Sequence, residues 1–130
     1  MPPSREDIED FEFLNLAVLR GTCSSPAEVR VLPSGDTVVQ LQLTTRSDGR
    51  AISVPVAVRK PAPWVESIDA GNRLVIVGTV RRRFFRTGGA TASRVEVDAE
   101  LVARAGDRRR ASAARRKAEA LLDALEDPFS

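Results

Sequence analysis

The sequence predicts an all-β fold: a small closed barrel of five strands, with a short helix between the third and fourth strands and a longer helix appended at the C-terminus. Three observations predict it. Apolar residues alternate with period two in short stretches across residues 13–102; clusters of Pro, Gly, Asn and Asp separate those stretches; and a long helix-period stripe is confined to residues 107–125. A β-sandwich is the competing arrangement of the same strands.

A chain of 130 residues is about one domain, enough for a modest core and too short for two. Its 42% hydrophobic and 29% charged residues place it among globular sequences and exclude a disordered one. No apolar run approaches the ~20 residues of a membrane span, and the acidic N-terminus lacks the basic start and apolar core of a signal peptide. A cytoplasmic protein with no membrane partner is therefore expected, nucleoid-associated if its ligand is DNA. The lone cysteine, Cys23, cannot close an internal disulfide; it reads as a small half-buried thiol in a strand, with a reactive thiol as the lesser reading. Histidine is absent, which removes the ligands for a zinc site and for histidine-based catalysis. No paired carboxylates, metal-ligand spacing or nucleophile and base arrangement stands out, so no metal, no cofactor and no enzymatic activity are expected.

The net charge of +2 hides a segregation. Residues 1–12 hold one arginine against five acids, about −4; residues 13–103 hold twelve basic groups against eight acids, about +4; residues 104–130 hold seven against five, about +2. The expected organisation follows these blocks: a flexible acidic arm over 1–12, the barrel over 13–103, and a charged C-terminal helix with an acidic tip over 104–130. A pI near 9.3 suits an anionic partner.

The first strand runs over residues 13–23, with Leu14, Leu16 and Val18 on one face and Ala17 and Leu19 on the other. Ser24, Ser25 and Pro26 break it, and Val29, Arg30, Val31 and Leu32 form a short extended piece ended by the turn Pro33-Ser34-Gly35-Asp36. In residues 37–45 Val39, Leu41 and Leu43 point inward, and Gln40, Gln42 and Thr44 point outward onto a binding surface or a merely solvated one. Arg46, Ser47, Asp48, Gly49 and Arg50 make a hairpin with Asp-Gly at its tip. The returning strand puts Ile52, Val54, Val56 and Val58 on one face, while Pro55, which cannot donate to the ladder, argues for an edge or a bulge. Pro63 opens a helical turn over residues 64–68, where Val65 and Ile68 plug one end of the sheet and Trp64 belongs to the plug more readily than to a base-stacking site.

The central stretch is residues 73–86, RLVIVGTVRRRFFR. Leu74, Ile76, Gly78 and Val80 share one side of the pleat and Val75, Val77 and Thr79 the other, so the strand is covered on both faces at its start. Past Val80 the chain turns cationic: Arg81, Arg82, Arg83 and Arg86 bracket Phe84 and Phe85, and a glycine-rich loop follows. The last strand, residues 93–102, turns Val95, Val97, Ala99 and Leu101 inward and sets Arg94, Glu96, Asp98 and Glu100 on a largely acidic outer face. Guanidinium groups neutralise phosphates and an exposed ring stacks on a base, so the cationic stretch reads as a platform for single-stranded nucleic acid. A hairpin with solvated arginines and core phenylalanines fits the same residues equally well. Unbroken alternation carries Phe84 inward and turns Arg81, Arg83 and Phe85 outward together, leaving Phe85 as the stacking ring. Arg81, Arg83, Phe85 and Arg86 are the candidate binding residues, with Arg46, Arg50 and Arg59 as lesser phosphate contacts.

Residues 107–125 carry Ala111, Ala114, Ala118, Leu121, Leu122 and Leu125 at three- and four-residue steps, a stripe for docking on the sheet or on a partner. Basic residues come early (Arg108, Arg109, Arg110) and acids late (Glu119, Asp123, Glu126), against the helix dipole, which fits a helix charged for a partner and equally a solvated one. Five strands with one short helix between the third and fourth fit the OB-fold, in which one strand face and the loops between strands bind oligonucleotides.

The run Asn15-Leu16-Ala17-Val18-Leu19-Arg20-Gly21, then Pro26-Ala27-Glu28-Val29-Arg30, then Pro33-Ser34-Gly35 leading into Val39-Gln40-Leu41-Gln42-Leu43, resembles the N-terminal signature of bacterial single-stranded DNA-binding proteins. Residues 71–81, GNRLVIVGTVR, resemble that family's fourth strand, and the similarity spans about residues 14–102. The resemblance implies an OB-fold that forms a homo-oligomer, dimer or tetramer, and binds single-stranded DNA without sequence preference in replication, recombination or repair; RNA is a second candidate ligand. It also implies for Phe85 the place of a stacking aromatic. Two departures stand against it: residues 44–58 contain no aromatic, and the family's glycine-rich tail is replaced by the charged helix. The final Leu125-Glu126-Asp127-Pro128-Phe129-Ser130 is similar to the acidic tip that recruits partner enzymes, which makes Asp127, Pro128 and Phe129 a candidate site for replication or repair proteins, although Ser130 spoils a grip on a terminal phenylalanine. The missing stackers support a second expectation, a protein-interaction adaptor of the same fold with weak or no nucleic-acid binding.

Overall fold

The computed structural model describes residues 13–106 and 108–126; the acidic arm expected over 1–12 and the tip residues Asp127, Pro128 and Phe129 lie outside the described residues. The elements in order are β1 (Ala17–Cys23), β2 (Glu28–Val31), β3 (Thr37–Ser47), β4 (Arg50–Arg59), a 3-10 turn (Pro63–Ser67), β5 (Arg73–Thr87), β6 (Ala90–Arg104) and α1 (Arg108–Glu126). The first two strands are limbs of one bent strand. β2 lies along the start of β3, while β1 crosses to β5 and meets β3 only where Thr22 and Cys23 face Thr44 and Leu43. That contact closes the sheet of order β1-β5-β6-β4-β3-β2 into a barrel, the OB-fold that the strand count and helix placement predict.

The local chemistry explains the bend and the closure. At the Ser24-Ser25-Pro26 corner the Ser24 N–H donates to the Gln42 carbonyl at 3.0 Å and the Ala27 N–H donates to the Ile68 carbonyl at 2.8 Å, so the chain turns without orphaning its amides. Where β1 approaches β3, a Cβ on Gly21 would collide with the Thr44 carbonyl oxygen; only glycine permits this seam. Asp48 and Gly49 both take positive φ, 51° and 76°, as the Asp-Gly hairpin requires. Pro55 stands just before Val56 and Ala57, the residues where β4 gains β6 as a parallel neighbour, in keeping with an edge position.

The interior holds Val39, Leu41, Leu43, Val56, Leu74 and Ile76, as alternation assigns, and Cys23 lies with them; Leu101, expected inward, instead stands opposite Val77 outside this cluster, because a register shift between Val77 and Gly78 brings Val102 opposite Ile76 and against the core. Each fully buried aliphatic side chain contributes about 1.5 to 3 kcal/mol relative to exposure. Val65 and Ile68 plug one end, with Trp64 packed against the same cluster. The outer face of the barrel at the start of β5 is also covered. α1 lies on β5 and β6, and Val77, Ala103 and Ala114 are buried outside the interior cluster. Trp64 has the Arg104 guanidinium 4.8 Å and the Arg110 guanidinium 5.6 Å from its ring centre, and Lys117 Nζ reaches Glu100 Oε2 at 3.4 Å. Exposed pairs of these kinds contribute at most about 1 kcal/mol each, so the alanine and leucine stripe carries the docking.

Phe84 departs from expectation. It is 68% exposed, not part of the core. Alternation along β5 holds, and Phe84 does lie on the same side of the strand as Leu74 and Ile76, but the barrel has ended before it. β4 pairs with β6 only at Val56 and Ala57, opposite Val97 and Asp98, so beyond Val80 the β5–β6 hairpin runs on as a two-stranded ribbon whose inward side meets solvent. Val80 and Val95 are exposed for the same reason.

Candidate nucleic-acid interface

The cross-strand register gathers one face from five strands. Arg30 on β2 is opposite Val38 on β3, which is opposite Arg59 on β4; Gln40 is opposite Ala57, and Ala57 is opposite Asp98 on β6. On the ribbon Arg81 pairs with Glu96, Arg83 with Arg94 and Phe85 with Ala92. Period two then turns Arg81, Arg83 and Phe85 to the same side as Arg94, Glu96 and Asp98. Two adjoining clefts result, both bordered by Arg30 and Arg83. The outer one is completed by Phe85, Arg86 and Arg94; the inner one has Gln40, Ala57, Arg59 and Glu96 in its lining.

Of the residues singled out in sequence, Arg81, Arg83 and Phe85 share this face, and Arg86 also lines the outer cleft with Phe85. Phe85 is 36% exposed, about half as much as Phe84, because it lies against the cleft wall. Arg59 joins the inner cleft. Arg46 lines a separate groove at the β1–β3 seam with Arg20 and Thr45, and Arg50 stands opposite Ser47 at the far end of the β3–β4 hairpin, so these two are not brought together with the others. The sequence did not single out Arg30, Arg94 or Glu96 as site residues, and it placed Gln40 only on a face that could bind or be solvated. The signal for Arg94 was present in the Gly88-Gly89 turn, which fixes the hairpin register and sets Arg94 opposite Arg83. Nothing local signals Arg30, because its place depends on β2 folding back onto β3.

The charges on the face are graded. Near the barrel, Asp98 braces two arginines, with Arg81 Nη1 at 3.2 Å from Oδ2 and Arg59 Nε at 3.8 Å from Oδ1. Among the described residues, Arg83 and Arg86 make no ion pair. Cation strength toward an incoming anion therefore rises from the barrel wall to the ribbon. Arg94 donates from Nη2 to Gln40 Oε1 at 3.3 Å, and Gln40, expected outward on a binding or a solvated face, is outward but only 7% exposed beneath these long side chains. Elsewhere, burial pushes the Cys23 thiol above its ordinary range, which suits a structural thiol. Among the described residues no three His, Cys, Asp or Glu side chains are grouped to hold a metal, and no helix is long and apolar enough to cross a membrane.

No protein-family model matches the chain, and no curated protein matches it. Its fold is similar to the crystal structure of wild-type single-stranded DNA binding protein from Thermus aquaticus, with a TM-score of 0.59 and 23% sequence identity, over 70% of this chain and 40% of that one. The chain thus spans less than half the length of that protein, and what the two share is the OB-fold.

Proposed function

We propose that the chain binds single-stranded nucleic acid, DNA in the first place, on the face of β2, β3, β4, β6 and the ribbon, by phosphate contacts from arginines and stacking on Phe85. The observation that carries this reading is one exposed phenylalanine lying in a cleft with Arg30, Arg83, Arg86 and Arg94. A ring at the wall of a cationic cleft is what a flexible anionic strand with π-faced bases requires. Arg81 and Arg59 assist from the barrel wall; Arg46 and Arg50, displaced from the clefts, contribute longer-range attraction. The fold shared with a single-stranded DNA binding protein supports the same reading. A role in replication, recombination or repair, with Asp127, Pro128 and Phe129 recruiting partner proteins, extends it from the sequence resemblance.

Titration of a labelled oligonucleotide at several salt concentrations tests it. The logarithm of affinity should fall with the logarithm of salt by about 0.7 per phosphate neutralised, and Arg83→Ala should flatten that slope by about one such unit. No binding at low salt would sink the proposal. The adaptor reading has its own supporting observation: Phe84, Val80 and Val95 present an exposed apolar side of the ribbon, away from the arginine clefts. A protein partner captured independently of nucleic acid, and lost on Phe84→Ala, would favour it.

A further inference from the structure

At the floor of the inner cleft lies an acid among arginines. Glu96 is 4% exposed, its Oε2 is buried with no hydrogen-bond partner, and the cleft that it helps to line is bordered by Arg30, Arg59 and Arg83. The Arg94 Nη2 stands 4.0 Å from that oxygen and 3.3 Å from Gln40 Oε1, so one guanidinium corner bridges the carboxylate and the amide without satisfying the former. Folded proteins rarely leave a buried charged acceptor unanswered, because it forfeits the hydrogen bonds that water gave it.

The floor of this cleft therefore presents a carboxylate acceptor to a group that donates hydrogen bonds. A phosphate is the wrong group: the surrounding arginines attract it, but the carboxylate repels it from the floor itself. The donors along a DNA strand are on its bases. Thymine and uracil offer a single ring N–H flanked by two carbonyl oxygens, which a carboxylate repels. Cytosine and adenine each offer one amino group beside a ring acceptor. Guanine alone sets a ring N–H beside an amino group, the pair of parallel donors that a two-oxygen carboxylate accepts, with its O6 acceptor next in line. Gln40 suits that acceptor through its Nε2, which has no partner among the described residues.

We propose that Glu96, with Gln40 beside it, reads one base of the bound strand by its Watson–Crick edge, favouring amino-bearing bases and guanine most. The inference rests on the reading that this face binds single-stranded nucleic acid, and adds a preference at one position to contacts that otherwise ignore sequence. Arg94 must lift for the base to reach Oε2; its side chain is 40% exposed, and a phosphate of the incoming strand offers the guanidinium a new partner.

The test uses the full chain and a fluorescein-labelled oligo(dT) carrying one central dG, dA, dC or dT, with affinity read by anisotropy at fixed salt. The dG strand should bind about 5- to 150-fold more tightly than all-dT, with dA and dC between. Glu96→Gln, which keeps shape and loses the paired acceptors, should erase that preference. Equal affinity of the wild type for all four strands overturns the inference and leaves the binding reading standing, as does a preference that survives Glu96→Gln. No binding of any strand overturns the binding reading itself. Should Glu96→Gln fail to fold, the four-strand comparison on the wild type decides alone.

Discussion

Phe84 and Phe85 are neighbours on one strand with different surroundings, and the difference is measurable. Phe85 lies against Arg83, Arg86 and Arg94 in the outer cleft, whereas Phe84 projects from the opposite side of the ribbon. Losing a stacked base costs roughly 1 to 3 kcal/mol, so Phe85→Ala should weaken oligonucleotide binding about 5- to 150-fold and leave the melting temperature nearly unchanged. Because Phe84 is not a core residue, Phe84→Ala should change stability by no more than about 0.5 kcal/mol, far from the 3 to 5 kcal/mol of a buried phenylalanine. Thermal melts of both variants, with titrations, check the pair; a large melting loss for Phe84→Ala would show that the ribbon is buried in solution. Cys23 gives a second prediction at this scale. Burial raises its pKa from 9.0, so above pH 9 the unfolded chain releases a proton that the folded chain keeps. Stability should then be level in this respect below pH 9 and fall as pH rises beyond it, a slope that Cys23→Ala removes; parallel denaturation curves for both chains up to pH 10.5 would contradict it.

The elements were legible in the sequence wherever period two meets a closed wall. β3, β4 from Val54 onward and the first half of β5 put their alternating apolar residues in the wall, whereas Ile52, nearer the hairpin tip, is exposed; the apolar second face of β5, Val75 and Val77, announced a cover that α1 provides. What was not legible is where a neighbouring strand stops. Phe84 obeys the pattern of Leu74 and Ile76 and is still exposed, because β4 leaves β6 at a point no residue of β5 encodes. The site divides along the same line. Arg81, Arg83 and Phe85 could be grouped from one strand, whereas Arg30 and Gln40 reach them only through the closure of the barrel. The docking of α1 can be tested through Trp64, the single tryptophan, which has an arginine from β6 and another from α1 beside its ring. Ala114→Asp places a carboxylate where 3% exposure allows none, and should undock the helix, shift Trp64 emission to longer wavelength and reduce helical circular dichroism. An unchanged spectrum would mean that the helix is not held by this face.

At the scale of the whole molecule the exposed apolar surface is unevenly placed. β1 pairs with β5 on one side but with β3 only at Thr22 and Cys23, so between Ala17 and Leu19 its other edge has no strand partner among the described residues. Phe13, Leu14 and Val18 are exposed at and just before that stretch, and a largely apolar groove between β1 and α1 is lined by Val18, Leu19, Val75, Ala111 and Leu122. An open strand edge beside apolar side chains is a surface that proteins cover, by a second chain where their own does not reach. A dimer or tetramer is therefore expected. None of these groove residues belongs to the arginine clefts, which separates assembly from ligand contact. Val18→Lys should therefore shift the protein toward monomer in light scattering at tens of micromolar, leave the melting profile of the barrel close to wild type because Val18 is not a core residue, and preserve a salt-dependent affinity for a short oligonucleotide. A wild-type monomer at that concentration would contradict the assembly, and loss of short-oligonucleotide binding on Val18→Lys would show that the clefts of one chain are completed by another.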